Sequence, residues 1–337
     1  MYVPTIRQGL ARPSLLFTTM ESVANTSSSS ISSLSSTNSI ILPPIHRIHL
    51  LSVDSTNTYA KQNVSTFPPH SLTVITTDEQ TAGRGRLGRI WKSSTKNQDI
   101  TMTFTFPLPK LSISSAYQLS PLLSIAAVRA LAKVQVSATI KWPNDIIISN
   151  CKKIGGILCE LESVPILSFT SSTSSTSTSF FTSESYSGMW AALGIGLNIN
   201  SEPEVLNISR PVWPLTTLYA ESNKQIIYDI DFITNTLIEE LQCMLPIFLE
   251  KGFEPFHNEY EKYSILLGKL IQFRIEDNSI VKGKVHSIGT DGKLYIKVYS
   301  TNNSESSSIP QIQGYLSGEV SGIELIPGEN MIEGSEH

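Results

Sequence analysis

The segment GRGRLGRIW, at Gly83–Trp91, carries the residues best suited to bind an anion. Its three arginines offer planar, charged donors that pair well with carboxylates and phosphates. Its three glycines let the backbone approach a ligand closely. We therefore expect this segment, called the Gly-rich loop below, to hold carboxylate or phosphate groups. The alternative is a solvated basic loop that binds no ligand.

The same glycines, Gly83, Gly85 and Gly88, also satisfy G-x-G-x-x-G, a fingerprint of dinucleotide binding that is weak on its own. In dinucleotide-binding folds a helix follows the glycines, and its N-terminus binds the pyrophosphate. Here the loop leads towards TMTFTF at Thr101–Phe106, which is a strand pattern. No helix is predicted after the loop. The chain has no Walker A motif either, so ATP would need another binding device.

Four further segments place polar side chains beside turn residues. In DSTNTYAK, at Asp54–Lys61, Ser55 is predicted to cap a helix. The segment has no further role unless it faces a ligand. KWPND, at Lys141–Asp145, gathers a cation, an amide and a carboxylate around a proline turn, a density typical of a site. Lys152–Glu160 brings lysines next to a glycine pair. GIGLNIN, at Gly194–Asn200, ends a strand and could be only a bulge and turn.

The elements that must position these segments mix strands with helices, which predicts an α+β core. A long helix precedes KWPND, with Ser120 as its N-cap and Pro121 in its first turn. Gly252 separates two later helices. The predicted strands begin at Ile45 and continue at Leu72–Thr77, Thr101–Phe106, Ile146–Ile148, Gly156–Leu161 and Met189–Asn198; the later helices are Asp231–Leu249 and Phe253–Tyr263.

Past Ser264 the pattern changes to short strands separated by turns at Asp277-Asn278 and Asp291-Gly292. This pattern predicts a small all-β domain at residues 264–327, a barrel, followed by a tail at residues 328–337. Its predicted strands are Leu270–Ile275, Ile280–Ile288 and Leu294–Val298.

Composition limits the class of protein. The chain has 337 residues, 40% of them hydrophobic, which is enough to bury a sizeable core. A net charge of −4 disfavours a general nucleic-acid binder. No run approaches the roughly 18 consecutive apolar residues of a membrane span. The three cysteines have no C-x-x-C spacing, so neither a disulfide framework nor a fixed metal site is predicted, and an intracellular location fits best.

Two segments are too polar to be predicted as folded. Residues 1–44 are typical either of a disordered tail or of a transit peptide, so we expect a cytoplasmic protein, with a mitochondrial form through this segment as the alternative. Residues 168–187 contain fifteen Ser or Thr and are predicted to be a disordered insertion in a hairpin, because strand patterns lie on both sides.

The five motif segments, in this order, resemble the catalytic domain of the biotin–protein ligases, the holocarboxylase synthetases. The shared motifs are STN, Q-x-x-G-R-G-R-x-G-R-x-W, KWPND, K-x-x-G-I-L and G-x-G-x-N, and the resemblance covers about Ile45 to Leu325. It implies a mixed-sheet domain of the class II aminoacyl-tRNA-synthetase-like, biotin–lipoate ligase type at residues 45–263, with an SH3-like barrel after it. The DNA-binding domain of some bacterial members has no match, so no repressor role is implied.

The resemblance also implies roles for individual residues. The implied biotin contacts are Ser55, Thr56, Asn57, Gln80, Arg84, Gly85, Arg86, Lys153 and Gly156. The implied ATP contacts are Arg86, Arg89, Trp91, Asn144, Lys153 and Asn198. The implied catalytic residues are Lys153, Arg84, Lys141 and Asp145, of which Asp145 either positions magnesium or orients the acceptor amine. One position departs from a bacterial pattern: Leu215 stands where an aromatic residue covers adenine, and Trp213 lies two residues earlier.

The implied reaction has two steps. Biotin's carboxylate attacks the α-phosphorus of the Mg²⁺ complex of ATP, and a carrier-domain lysine then takes the biotinyl group from biotinyl-AMP. The implied acceptors are biotin carboxyl carrier domains of intracellular carboxylases, and a monomer without nucleic-acid or membrane partners is expected. The alternatives are a lipoate–protein ligase, a dinucleotide-dependent oxidoreductase and a non-enzymatic scaffold.

Overall fold

The structure is a computed structural model that describes residues 41–92, 94, 97–109, 115–148, 151–164, 186–206, 213–275, 278–298, 311–323 and 332–333. Most of the predicted N-terminal tail, residues 168–185 of the Ser/Thr-rich segment and most of residues 324–337 lie outside the described residues.

A mixed sheet of seven strands forms the centre of the fold. The strands are β1 (Ile45–Leu50), β2 (Leu72–Thr77), β3 (Ile100–Pro109), β4 (Thr139–Lys141), β5 (Asp145–Ile148), β6 (Lys152–Ser163) and β7 (Tyr186–Leu197). Their order is β1-β2-β3-β7-β6-β5-β4, and β1 is parallel to β2 while the other neighbours are antiparallel. β6 and β7, which flank the Ser/Thr-rich segment, pair as a hairpin requires. The predicted α+β class and mixed sheet are confirmed.

Helices cover the sheet. In the described part of the chain they are α1 (Thr56–Asn63), α2 (Leu119–Lys133), α3 (Leu218–Glu221), α4 (Ile230–Lys251) and α5 (Glu254–Tyr263). The prediction that Ser120 caps α2 is wrong, because the helix already begins at Leu119 and the Ser120 carbonyl accepts a hydrogen bond from the Ser124 hydroxyl inside it. Gly252 ends α4 with a φ of 69°, as its position predicted.

One helix of the described part, α4, is long and apolar enough by length and composition to cross a membrane. Its side chains Ile233, Leu237 and Leu241 are completely buried in the main hydrophobic core. This burial is what a core helix requires, since one stripe of such a helix packs against the other elements.

The two faces of the seven-stranded sheet differ because strand side chains alternate. On β3, Met102, Phe104 and Phe106 belong to the main core. The intervening Thr103 and Thr105 are equally buried, and Thr103 contacts α1. A polar floor therefore lies beneath α1, opposite the aliphatic core. A smaller apolar cluster, which includes Ala60, Val64, Phe67, Ile75 and Trp190, completes this side of the sheet.

A second sheet follows α5. Its strands are β8 (Leu270–Arg274), β9 (Ile280–Ile288), β10 (Leu294–Val298), β11 (Gln311–Tyr315), β12 (Glu319–Ile323) and β13 (Ile332–Glu333), in the order β11-β10-β9-β8-β12-β13. The three strands predicted here are present, but this order is that of an open sheet, so a closed barrel is not confirmed. Trp142 Nε1 bonds the Gly292 carbonyl at 3.0 Å, and Trp213 Nε1 bonds the Val320 carbonyl at 3.1 Å. These bonds fix the second sheet beside the KWPND turn.

Candidate active site

One cavity of about 460 Å³, open to solvent, gathers most of the predicted site residues. It lies between α1, the Gly-rich loop and the strands β3, β6 and β7. The predicted residues that line it are Ser55, Thr56, Asn57, Gln80, Arg84, Gly85, Trp91, Asn144, Lys153 and Gly156. Lys141, Asp145, Arg86, Arg89 and Asn198 lie around it rather than on its described lining.

The start of α1 supplies the neutral polar end of the cavity. Ser55 precedes the helix at the predicted N-cap position, but its side chain makes no capping bond, so its hydroxyl can serve a ligand. Gln80 Oε1 accepts from the Thr56 backbone nitrogen at 2.9 Å, and the Thr56 hydroxyl lies 3.1 Å from the same oxygen. The Gln80 oxygen is thus satisfied internally, and its NH₂ group remains to donate to a ligand.

Thr103 lies behind Thr56 and Asn57, which line this end, and the sequence analysis missed it. Its hydroxyl is completely buried and lies 2.8 Å from the Thr56 hydroxyl and 2.7 Å from Asn57 Oδ1. Asn57 Oδ1 can only accept, so the hydroxyl proton goes to it. The alternation in TMTFTF put a threonine on this face, but the pattern could not show which residues would meet it.

Two glycines of β7 leave room for the side chains of Asn57 and Trp91. A Cβ on Gly194 would lie 2.3 Å from Asn57 Oδ1, and a Cβ on Gly196 would lie 2.3 Å from the Trp91 ring. Both separations are far below van der Waals contact. GIGLNIN is therefore more than a turn signal, because its glycines let Asn57 and Trp91 pack directly against the strand backbone.

The Asn57 amide is occupied by the protein. Its Nδ2 group lies 3.0 Å from Glu160 Oε2 and 3.1 Å from the Leu158 carbonyl, and its oxygen accepts from Thr103. Glu160, on β6, is the second residue that the sequence analysis missed. Burial opposes its ionisation, but hydrogen bonds from Asn57 and Lys61 and the charge of Arg84 outweigh burial and hold the pKa of this carboxyl below its usual range.

A buried ion cluster forms the cationic end. Asp145 lies 2.7 Å from Lys141 Nζ and 2.6 Å from Lys153 Nζ. Burial opposes ionisation of Asp145, yet the two ammonium groups prevail and hold its pKa well below the usual range, whereas burial lowers the pKa of Lys141. The β5–β6 pairing sets Asp145 opposite Gly156 and leaves the Lys153 ammonium 3.2 Å from where a Gly156 Cβ would be. Lys153 alone of the three lines the cavity.

The Gly-rich loop folds back on itself before it enters β3. Gly85 N bonds the Arg89 carbonyl at 2.7 Å, and Trp91 N bonds the Gly83 carbonyl at 2.9 Å. A single 3-10 turn at Arg86–Gly88, with Gly88 at a φ of 73°, forms its tip. In the described chain the next regular element is β3, as predicted. The dinucleotide interpretation loses its basis, since it needs a helix at this point.

The three arginines point in different directions. Arg84 bonds Glu160 at 2.9 Å and the Thr58 hydroxyl at 3.2 Å. Arg86 bonds Asn144 Oδ1 at 3.1 Å, and burial lowers the pKa of its guanidinium, which nevertheless stays charged at neutral pH. Arg89 pairs with Glu319 of the second sheet. The loop is therefore not one clamp with three equivalent cations.

The predicted nucleotide side is only partly assembled around the cavity. Asn198 is buried, and its Nδ2 group bonds the Thr216 carbonyl at 3.2 Å. Trp213 is also buried, and its ring lies 5.1 Å from Lys141 Nζ. Leu215 forms a bridge to the Lys153 backbone. Trp213 thus packs between Lys141 and the second sheet and does not take the place of the missing aromatic residue on the described lining.

The comparisons with known proteins agree on the family that this chain resembles. A model of the Biotin/lipoate A/B protein ligase family matches residues 50–188. The Bifunctional ligase/repressor BirA of Bacillus spizizenii is 26% identical over 265 residues, 76% of this chain and 73% of that protein. The Biotin--[acetyl-CoA-carboxylase] ligase of Mycobacterium tuberculosis is 23% identical over 231 residues, 67% of this chain and 73% of that protein.

A solved structure adds a match in three dimensions. The biotin protein ligase from Aquifex aeolicus, in complex with biotin and ATP, superposes with a TM-score of 0.59 and 25% identity. The match covers 83% of this chain and 98% of that one. A match over 83% of 337 residues is longer than residues 1–263, so it extends beyond the seven-stranded sheet and its helices.

Proposed function

We infer that this chain belongs to the Biotin/lipoate A/B protein ligase family and is a biotin–protein ligase. It activates biotin with ATP to biotinyl-AMP and transfers the biotinyl group to a lysine of a biotin carboxyl carrier domain. The observation that carries this assignment is one cavity with a neutral amide and hydroxyl end at Ser55 and Gln80 and a cationic end at Lys153. A ureido ring with a carboxylate on a flexible chain matches both ends.

The first step joins two anions. A biotin carboxylate oxygen bonds the α-phosphorus of ATP, the bond from that phosphorus to the bridging oxygen breaks, and pyrophosphate leaves. Lys153 lowers the repulsion between the carboxylate and the phosphate as they approach. A preorganised donor of this kind contributes about 2.7–4 kcal/mol to transition-state stabilisation. Asp145 holds the Lys153 ammonium in position at 2.6 Å.

The second step transfers the acyl group. The neutral carrier-domain amine attacks the biotinyl carbonyl carbon, the bond from that carbon to the AMP oxygen breaks, and the amine loses a proton as the amide forms. Holding the adenylate beside the amine makes this step an oriented encounter, and the Gly-rich loop limits access of water. The paired Asp145 remains a candidate to orient the amine.

The nucleotide contacts are proposed for Arg86, Arg89, Trp91, Asn144 and Asn198, with Mg²⁺ entering as the ATP complex. Arg86 and Asn144 bond each other at 3.1 Å at the edge of the cavity, which supports a shared role at the phosphates. Arg89 has Glu319 as its partner, so a phosphate contact would require it to exchange that carboxylate for the nucleotide.

Further proposals concern the setting of the enzyme. We propose carrier domains of intracellular carboxylases as acceptors, a monomer without nucleic-acid or membrane partners, and the cytoplasm as the location, with a mitochondrial form as the alternative. We also propose that residues 264–327 form the SH3-like barrel of a class II synthetase-like ligase. A crystal structure that shows the same open sheet with residues 299–310 and 324–331 in place would contradict the barrel.

The direct test is exchange of labelled pyrophosphate into ATP by the purified chain, with biotin or lipoate as the acid. We expect exchange with biotin only, and avidin-detectable labelling of a purified carrier domain. Lys153→Ala is the matched negative control, because it removes the cation that lines the cavity. Exchange that depends on lipoate and not on biotin would reverse the substrate assignment.

A further inference from the structure

One carboxylate on β6 connects three separate elements beside the cavity. Glu160 Oε1 lies 2.9 Å from Lys61 Nζ, and Glu160 Oε2 lies 3.0 Å from Asn57 Nδ2 and 2.9 Å from an Arg84 nitrogen. Asn57 and Lys61 belong to α1, whereas Arg84 belongs to the Gly-rich loop. The Glu160 side chain is only 18% exposed, so water screens these contacts less than on an open surface.

Arg84 lines the cavity, but its guanidinium is bonded on the α1 side. Its guanidinium donates to Glu160 and to the Thr58 hydroxyl, so it points towards α1. Its neighbour Gly85 lines the cavity and bonds the Arg89 carbonyl across the loop at 2.7 Å. Fixing the Arg84 side chain therefore also fixes the two backbone strands at the base of the loop.

The opposite side of the loop has its own attachments. Arg86 bonds Asn144, and Arg89 pairs with Glu319. The Arg84–Glu160 ion pair is thus the charged attachment on the α1 side, beside the weaker Arg84–Thr58 bond and the backbone bond from Ala82 to Asp54. The same Glu160 oxygen bonds the Asn57 amide, whose oxygen accepts from Thr103 on the floor.

We propose that Glu160 is a positioning residue that holds the Gly-rich loop closed over the cavity through Arg84, and that Arg84 acts as this fastener rather than as a contact to biotin's carboxylate. That the closed loop retains the adenylate rests on the proposed function, whereas the attachment of the loop through Glu160 and Arg84 does not. Arg86 and Lys153 then remain as the cations directed at the reacting anions.

The test on the loop itself is limited trypsin digestion of the full chain without ligand. The loop contains three arginines, each a trypsin site, and trypsin cuts a loop faster when it spends more time detached from the protein. We expect Glu160→Gln and Arg84→Gln each to raise the rate of cutting after Arg86 or Arg89 roughly fivefold, the upper range for a half-exposed ion pair. The double variant should be cut no faster than either single variant, because both changes break one contact.

Lys61→Met is the matched control, since Lys61 is the other cation on Glu160 and lies on α1. It should leave the loop as protected as in the unmodified chain. Arg84→Gln changes a side chain that is 43% exposed, so it keeps the test usable if Glu160→Gln does not fold. Three results would each overturn the proposal. Arg84→Gln could be cut no faster than the unmodified chain, or the effects of the two single variants could multiply in the double variant. Lys61→Met could be cut as fast as Arg84→Gln.

The second readout separates positioning from chemistry. In biotin-dependent pyrophosphate exchange, Arg84→Gln should raise the KM for biotin roughly fivefold with little change in kcat, because binding must now close the loop. A fall in kcat at unchanged KM would assign Arg84 to the chemical step and overturn the fastener role. If the unmodified chain shows no exchange with biotin, the proposed function fails while the trypsin result still decides the attachment of the loop.

Discussion

The polar face of β3 beneath α1 offers a sharp test, because two threonines on it face the same side and only one of them has hydrogen-bond partners. Thr103 and Thr105 are both completely buried on β3. Thr103 lies 2.7 Å from Asn57 Oδ1 and 2.8 Å from the Thr56 hydroxyl, whereas the Thr105 hydroxyl has no hydrogen-bond partner among the described residues. Valine at either position keeps the branched shape and removes the hydroxyl.

Thr103→Val leaves the Asn57 oxygen buried without its donor, which costs about 1–3 kcal/mol of the free energy of unfolding. For a chain of 337 residues, that loss lowers the Tm by roughly 1–5 °C. Thr105→Val removes a buried hydroxyl that has no partner, so we expect the Tm to stay constant or rise.

Thermal unfolding followed by circular dichroism, with and without biotin, measures both changes. Thr103→Val should also weaken biotin binding roughly five- to tenfold, about one lost hydrogen bond, while Thr105→Val should bind like the unmodified chain. If Thr103→Val keeps the original Tm, or if Thr105→Val loses as much as Thr103→Val, the assigned network is incorrect.

Three other variants test the cationic end and the glycine surface. Lys153→Ala should reduce kcat for adenylate formation by about 10²–10³-fold, measured by pyrophosphate exchange, with the fold retained; a change in KM alone would contradict its role. Asp145→Asn should lower the free energy of unfolding by about 3–5 kcal/mol in urea titrations at neutral pH, because Lys141 stays buried without its counter-charge. The pKa of Asp145 is depressed in the folded state, so its contribution to stability is complete above the ordinary aspartate pKa and is lost as the pH falls towards the folded-state pKa. Asp145→Asn should therefore lose less stability on acidification than the unmodified chain. An identical dependence of stability on pH in the two proteins would contradict the pairing. Gly196→Ala places a Cβ 2.3 Å from the Trp91 ring and should lower the free energy of unfolding by about 1–3 kcal/mol in urea titrations; an unchanged value would show that Trp91 is not held against this strand.

The elements of the fold follow largely from local pattern. β2, β9 and β10 have the predicted bounds, because alternation of apolar residues and turn signals are local properties of the sequence. The predicted cap of α2 lay two residues too late, since Leu119 joins the helix through core packing that no local signal records. The barrel depended on strand closure, which is a long-range property, and the described strands remain open.

The sequence by itself determined the chemical content of the site. The motif segments supplied most of the lining of the cavity, because glycine, arginine and amide residues at fixed spacing carry their chemistry with them. What each residue bonds was decided only by the tertiary structure. The sequence marked Arg84 as a residue that could bind an anionic ligand, but Glu160, 76 positions away, holds its guanidinium towards α1.

The same reason accounts for Thr103 and Glu160, which no motif marked. Thr103 meets Asn57 across 46 positions, and Glu160 meets it across 103. A side chain's type limits which bonds it can make, and this limit is written in the sequence. Which of those bonds it makes depends on the partners that strand pairing and helix packing bring within 3 Å, and these exist only in the folded chain.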